Sequence, residues 1–86
     1  MPEISRFFGL VIKMYWSDHA PPPFHAEYGE HEALIALETL QVLRGHLPRR
    51  AMALVLEWAA FHREALQADW IKAREGLDLD PVEPLE

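Results

Sequence analysis

Residues 49–74 contain no glycine and no proline, and this uninterrupted segment restricts the fold more than any other feature. Its apolar residues recur at the i, i+3, i+4 spacing of a single helix face. Pro48 lies where a helix begins and Gly76 where one ends. The sequence therefore predicts one amphipathic helix over residues 48–75, about 40 Å long at a rise of 1.5 Å per residue.

Such a helix exceeds what a compact domain of 86 residues can cover, because the expected radius of gyration is about 12 Å. Two arrangements remain open. The helix either kinks, so that both halves stay on the domain, or its C-terminal half projects into solvent. In the second arrangement Trp70 would be available to a partner.

The segments before the helix have the composition of β-strands. Residues 7–16 are rich in β-branched and aromatic side chains and predict one strand. Residues 24–28 predict a second strand, with Phe24, Ala26 and Tyr28 on one face and His25 and Glu27 on the other. After a turn at Gly29-Glu30, residues 33–37 predict a third strand. Residues 40–44 alternate and fit either a fourth strand or a helix.

The predicted fold class is α+β, in a single domain over residues 1–86. A small, mainly antiparallel sheet of three to four strands lies within residues 6–44 and packs on one long C-terminal amphipathic helix. The tail, residues 77–86, is acidic with two prolines, and we expect an extended strap or a late edge strand.

Composition excludes several classes of function. There is no cysteine, hence no disulfide and no thiolate metal site. The net charge is −6, which disfavours nucleic-acid binding; Arg49 and Arg50 are too few to reverse it, although they could contact an acidic partner. No apolar run reaches the ~20 residues of a membrane span, so we expect a soluble, cytoplasmic protein that does not bind membranes.

The highest density of chemical groups lies in residues 17–28, where three consecutive prolines stiffen the chain. If residues 24–28 form a strand, His25 and Glu27 leave the same face about 7 Å apart. Asp18 and His19 could reach over from the stiff loop. Candidate ligands for a divalent transition metal are therefore Asp18, His19, His25 and Glu27. The simpler interpretation is a solvated polar face, with Asp18 capping its own turn.

General acid–base catalysis by His25, oriented by Glu27, is a further alternative. The chain has no cysteine nucleophile, and Ser17 lies near His19 in sequence without implying triad geometry. No glycine-rich phosphate loop, no zinc-protease helix motif and no nucleotide fingerprint is present. No cofactor is therefore expected beyond the possible metal.

Several segments resemble a known family over essentially the full length of the chain. These are Met1-Pro2-Glu3-Ile4-Ser5-Arg6-Phe7, the core at residues 18–28, Leu47-Pro48-Arg49-Arg50-Ala51, Leu56-Glu57-Trp58 and His62-Arg63-Glu64. They resemble the bacterial domain-of-unknown-function family 4160, whose typical pattern has a histidine after two prolines. Pro23 takes that place here, which removes one imidazole from any mechanism that needs a pair. The resemblance implies a small α+β domain without established activity, and genes that often neighbour another small protein in a toxin–antitoxin-like arrangement.

Together these observations favour a non-enzymatic interaction module, either a homodimer or one half of a two-gene pair. Its contact surface would be the apolar end of the helix and a sheet edge. The candidate partner-binding residues are Arg49, Arg50 and Trp70. The alternative is a metal-dependent or general acid–base enzyme, hydrolase or nuclease-like, centred on residues 18–28.

Overall fold

The structure, a computed structural model, describes residues 3–86. Five antiparallel strands follow one another in chain order across a single sheet, and two helices come after them. The elements are β1 (Glu3–Phe7), β2 (Leu10–Lys13), β3 (Pro23–Tyr28), β4 (His31–Ala36), β5 (Val42–His46), α1 (Arg49–Phe61) and α2 (Arg63–Arg74). The α+β class and the antiparallel sheet are confirmed, whereas the predicted counts of three to four strands and one helix are wrong.

The additional strand arises because residues 7–16 do not form one strand. A turn at Phe8 and Gly9 separates β1 from β2, and both turn residues have positive φ, 48° and 84°. Left-handed backbone at both central positions matches the twist of the flanking strands in a tight hairpin. Phenylalanine gives no signal for such a turn, which is why the apolar run predicted a single strand.

The helical segment is broken at His62, where φ is −121° and ψ is 27°. This break makes the kinked arrangement the correct one, because α1 and α2 both lie on the sheet and the domain measures 33 × 25 × 22 Å. Trp58 and Leu66, on either side of the break, are both fully buried. Gly76, with φ of 73°, follows the end of α2 as predicted. In residues 3–86, neither helix combines the length and apolar character that crossing a membrane requires.

The two faces of the sheet have different neighbours. The inner face carries the apolar residues that pack with both helices in one core, including Phe24, Ala26, Ala33 and Ile35. The outer face carries polar side chains, among them His25 and Glu27 on β3, which are partly exposed. The predicted division of this strand into an apolar and a polar face is therefore confirmed.

The two edges of the sheet also differ. The tail after α2 runs beside β1, where the Val82 N–H donates to the Ile4 carbonyl at 2.7 Å. Trp58 Nε1–H donates to the Glu83 carbonyl at 2.8 Å, and Val82 is only 6% exposed. The tail is therefore extended along this edge of the sheet. At the opposite edge, β5 pairs with β4 alone, and all five of its residues are exposed.

Candidate functional site

The imidazole of His25 lies between two carboxylates on the outer face of the sheet. Its Nδ1 is 3.0 Å from Glu32 Oε2, and its Nε2 is 3.1 Å from Asp18 Oδ2. The ring of Tyr15 meets the imidazole edge to face, with centroids 4.6 Å apart. The histidine side chain is 17% exposed. Asp18, His25 and Glu32 thus form a polar cluster. Two of its members, Asp18 and His25, belong to residues 17–28, and Glu32 lies outside that stretch.

Local structure explains how each member reaches the ring. The tight β3–β4 hairpin sets His25 opposite Leu34 and Glu27 opposite Glu32. Glu32 is therefore a diagonal neighbour of His25 on the same face, within reach of a long side chain. Asp18 comes from the proline-rich loop, which contains a cis Ala20–Pro21 peptide bond.

That loop folds back through its own backbone. The Tyr15 N–H donates to Asp18 Oδ2 at 3.3 Å, and the Asp18 N–H donates to the Tyr15 carbonyl at 3.3 Å. The aspartate therefore holds its own turn while its carboxylate also faces His25. This is the capping role that the simpler interpretation predicted for Asp18.

The cluster is arranged around the imidazole itself. Each ring nitrogen faces a carboxylate, so neither nitrogen is open to a substrate unless that carboxylate moves away. A metal centre instead needs three or more ligands that converge on a common point beside them. Among residues 3–86, no group of three or more histidine, aspartate or glutamate side chains has that arrangement.

The other predicted site residues lie outside this cluster. Glu27 forms an ion pair with Lys13 at 3.1 Å. The hydrogen bond that the lysine donates to this carboxylate raises the pKa of the lysine. His19 is exposed in the proline-rich loop, with no hydrogen bond to any residue from 3 to 86. Of the four predicted ligands, only Asp18 and His25 are therefore in contact.

Two adjoining grooves open on the same face. The larger, about 360 Å³, is lined by His25, Glu32, Leu34, Arg44 and Gly45. The second, about 260 Å³, is lined by Leu34, Leu43 and Arg44 on the strands and by loop residues 17–21 and Pro23. Leu34 and Arg44 border both grooves, which therefore adjoin each other, and we call the two together the outer groove.

Arg44 is the charged residue of the outer groove that has no partner. Asp18 and Glu32, the carboxylates that border the same depression, both face His25. Within the described chain, the Arg44 guanidinium takes part in no hydrogen bond and no ion pair. A guanidinium fork of this kind suits a planar carboxylate or a phosphate.

A bulge in β5 explains why Leu43 and Arg44 line the same groove although they are consecutive. Leu34 pairs with Arg44 and Ile35 pairs with Val42, which leaves Leu43 as an extra residue. Such an extra residue breaks the alternation of faces along a strand. Neither Glu32 nor Arg44 was predicted as a site residue from the sequence. The β3–β4 register, set by the correctly predicted Gly29-Glu30 turn, was the signal that could have revealed Glu32.

The predicted partner-binding residues have different surroundings. Arg49 and Arg50 are exposed in the first turn of α1, and Arg50 borders a separate groove of about 260 Å³ together with the exposed Phe8. Trp70 is only 7% exposed and packs in the core, with the Arg74 guanidinium 5.6 Å from its ring centroid. The structure therefore gives Trp70 a packing role and leaves the two arginines accessible.

The family model described as Domain of unknown function (DUF4160) matches residues 9–71. The matched segment runs from the β1–β2 turn into α2 and includes every residue of the polar cluster and of the outer groove. Neither a curated protein nor a solved structure matches the chain at a significant level.

Proposed function

This chain belongs to the family of the domain of unknown function DUF4160, and from that premise we propose that it is a protein–protein interaction module rather than an enzyme. Its binding surface is the open edge of the sheet at β5, which accepts an extended strand of a partner polypeptide. The family description assigns no activity, so the proposal rests on the geometry of the edge and of the outer groove beside it.

The observation that carries the proposal is the exposure of β5. One side of this strand pairs with β4, and no segment within residues 3–86 pairs with the other. Val42 and Leu43 are 40% and 39% exposed, although both are large and apolar. An edge strand with free N–H and C=O groups is a template for a further strand, and the added main-chain hydrogen bonds supply affinity.

The partner we propose is a second small protein. The resemblance to the family implies a neighbouring gene for such a protein, as in a toxin–antitoxin-like pair, and the two would meet in the cytoplasm. A second copy of this chain is the competing occupant of the same edge, since a homodimer also fits a domain with a small core. Arg49 and Arg50 remain accessible for an additional contact with an acidic region of the partner.

The geometry gives less support to the enzyme alternative. Both nitrogens of His25 already face carboxylates, and Glu27, its proposed orienting group, is paired with Lys13. The arrangement instead suits a structural role, in which His25 ties the proline-rich loop to β4. The loop then forms one wall of the outer groove beside β5.

The experiment measures the molar mass of the purified protein by size exclusion with light scattering, alone and mixed with the product of the neighbouring gene. We expect a heteromeric complex that a Leu43→Lys substitution abolishes, because it replaces an apolar side chain of the outer groove with an ammonium group that the added strand would have to desolvate. Ile71→Lys is the matched control, since Ile71 on α2 is also an exposed apolar residue, at 51% compared with 39% for Leu43.

Three outcomes separate the possibilities. A heteromer lost with Leu43→Lys and kept with Ile71→Lys supports the proposal. A homodimer with the same dependence makes the second copy the occupant and overturns the choice of a different protein. A complex that neither substitution affects places the contact elsewhere and overturns the role of the edge.

A further inference from the structure

The outer groove also indicates which kind of strand the edge accepts. We propose that the partner strand carries an aspartate or glutamate that pairs with Arg44. This inference rests on the proposed function, because it specifies the partner that binds at the same edge. It concerns the chemistry of one cross-strand pair, and it can fail while strand addition itself still holds.

The first step is the distribution of charge over the outer face. Lys13 is paired with Glu27 on the inner strands, and Arg6 is paired with Glu3 at the β1 edge. His25 faces both Asp18 and Glu32. Arg44 is therefore a cation whose neighbouring carboxylates are already engaged by other groups.

The second step is the position of Arg44 on the edge strand. Arg44 lies opposite Leu34 of β4, and β5 is the last strand on that side of the sheet. A strand added to β5 would place one residue directly across from Arg44, with Cβ atoms about 5 Å apart. Opposite charges at such a position stabilise the pair, and a carboxylate can accept two parallel hydrogen bonds from the guanidinium.

The sequence of β5 itself distinguishes a different partner from a second copy of the chain. β5 reads Val-Leu-Arg-Gly-His and contains no acidic residue. No register of two β5 strands from two copies can therefore give Arg44 an acidic cross-strand partner, and a register centred on Arg44 sets two arginines against each other. Charge complementarity thus favours a strand of different sequence over a second copy of β5.

The groove adds an apolar requirement beside the charge. Leu34 and the bulged Leu43 border the depression next to Arg44. A partner side chain two positions from the acidic residue leaves the same face of the added strand. We infer that this neighbour is apolar, so that the partner motif is an acidic residue and an apolar residue separated by one position.

The test uses the full chain and three probes. Each is a terminally blocked, fluorescent seven-residue peptide of alternating threonine and valine, with glutamate, glutamine or lysine at the centre. Binding is measured by fluorescence anisotropy at low and at high salt. We expect the glutamate peptide to bind about twofold to fivefold more tightly than the glutamine peptide, the range for a solvent-exposed cross-strand pair of opposite charges, and the lysine peptide to bind most weakly.

Substitutions in the protein test whether Arg44 causes the preference for the glutamate peptide. Arg44→Ala should remove the difference between the glutamate and glutamine peptides, and Arg44→Lys should restore part of it. Arg6→Ala is the matched control, because Arg6 is an exposed arginine on β1, the opposite edge strand. It should leave the preference unchanged. High salt should reduce the preference in the wild-type protein, since the pair is accessible to solvent.

Each result bears on a separate statement. Equal binding of the glutamate and glutamine peptides, with both abolished by Leu43→Lys, overturns the role of Arg44 and keeps the edge. A glutamate preference that persists in Arg44→Ala also overturns that role. Binding of the uncharged glutamine peptide that Leu43→Lys leaves intact, or no binding by any peptide at millimolar concentration, overturns strand addition at β5 and the inference with it.

Discussion

The two edges of the sheet differ in whether another segment of the chain covers them. At β1, the C-terminal tail contributes the Val82 N–H to the Ile4 carbonyl and buries the valine side chain in the core. At β5, the strand has one neighbour and five exposed residues. The tail closes the first edge, whereas nothing within residues 3–86 closes the second.

The exposure of one valine at each edge shows the difference between the edges. Val82 in the tail is 6% exposed, and Val42 on β5 is 40% exposed. Burial of a valine contributes about 2 kcal/mol to folding, whereas a half-exposed one contributes much less. The closed edge therefore contributes more to the stability of the domain, whereas the open edge can change its contacts at little cost to the fold, as binding surfaces require.

The largest effect is expected when the same charge is introduced at both edges. Val82→Asp places a carboxylate in the core beside Trp58 and should lower the free energy of unfolding by at least about 3 kcal/mol. Val42→Asp should lower it by only about 1 kcal/mol, because Val42 is 40% exposed and the loss is confined to partial burial and strand propensity. Urea denaturation monitored by circular dichroism measures both.

The two substitutions should have the reverse order in binding. Val42→Asp should weaken association at the β5 edge, because it adds a negative charge beside the strand that we propose to be acidic. A destabilisation by Val42→Asp as large as that of Val82→Asp would show that β5 is covered, and the contrast between the edges would no longer hold.

The second prediction concerns Gly45, a position on the open edge that has no room for a side chain. Gly45 has φ of 80°, and a Cβ built there would lie 2.2 Å from the Glu32 carbonyl oxygen. Gly45→Ala should therefore destabilise the protein by about 2–3 kcal/mol, through steric conflict as well as backbone strain. Thermal and urea denaturation measure the loss.

Gly29→Ala is the matched control. Gly29 also has positive φ, 59°, but a Cβ there meets nothing within 4 Å. Strain alone should then cost about 1 kcal/mol. Equal losses at the two glycines would mean that β5 withdraws readily from β4, and its assignment as a fixed edge strand would be untenable.

The third prediction weakens the closed edge without adding a charge. Trp58→Phe removes the N–H that donates to the Glu83 carbonyl and leaves a small cavity in the core, since Trp58 is fully buried. The expected loss is about 2 kcal/mol in the free energy of unfolding. Trp16→Phe is the control, because Trp16 is 60% exposed and should be close to neutral. If both substitutions were neutral, the tail would not be held at Trp58.

Much of the fold was predictable because its signals are local. Short-range preferences predict three features that the tertiary structure keeps: the Gly29-Glu30 turn, the alternation of Phe24 with His25, and Gly76 at the helix end. Such preferences do not predict the Phe8-Gly9 turn or the break at His62. Phenylalanine favours a strand and histidine is tolerated in a helix, so packing both segments on one domain overrides local preference at these two positions.

The site was less predictable, because its contacts depend on register. Asp18 and His25 were identified from the density of groups in one stretch, and the structure brings them together. Glu32 joins them only through the β3–β4 pairing, and Glu27 is drawn away by Lys13 on the neighbouring strand. Arg44 could not be recognised as unpaired until every nearby carboxylate had a known partner.

The smallest of the expected effects is the pH dependence of the closed edge. Asp69 on α2 accepts a hydrogen bond from the Asp80 N–H at 2.8 Å, and this contact fixes the start of the tail. The aspartate is only 1% exposed, and its second oxygen, Oδ2, has no partner among residues 3–86. Burial raises its pKa above the ordinary value of 3.8, and the Asp80 charge adds to this, while the Asp80 N–H and Lys72 oppose it.

The sign of the pH dependence follows from this shift. Because the folded protein holds the Asp69 proton more tightly than the unfolded chain, its contribution to stability is full below about pH 4 and is lost as pH rises through the raised pKa. Asp69→Asn keeps an oxygen for the Asp80 N–H but cannot ionise. The free energy of unfolding of the variant, relative to the wild type, should therefore increase from pH 4 to pH 7, whereas the exposed control Asp78→Asn should show no such increase. A relative stability that falls over this range would mean that Asp69 is held as an ion, and that the tail is fastened to α2 by charge rather than by burial.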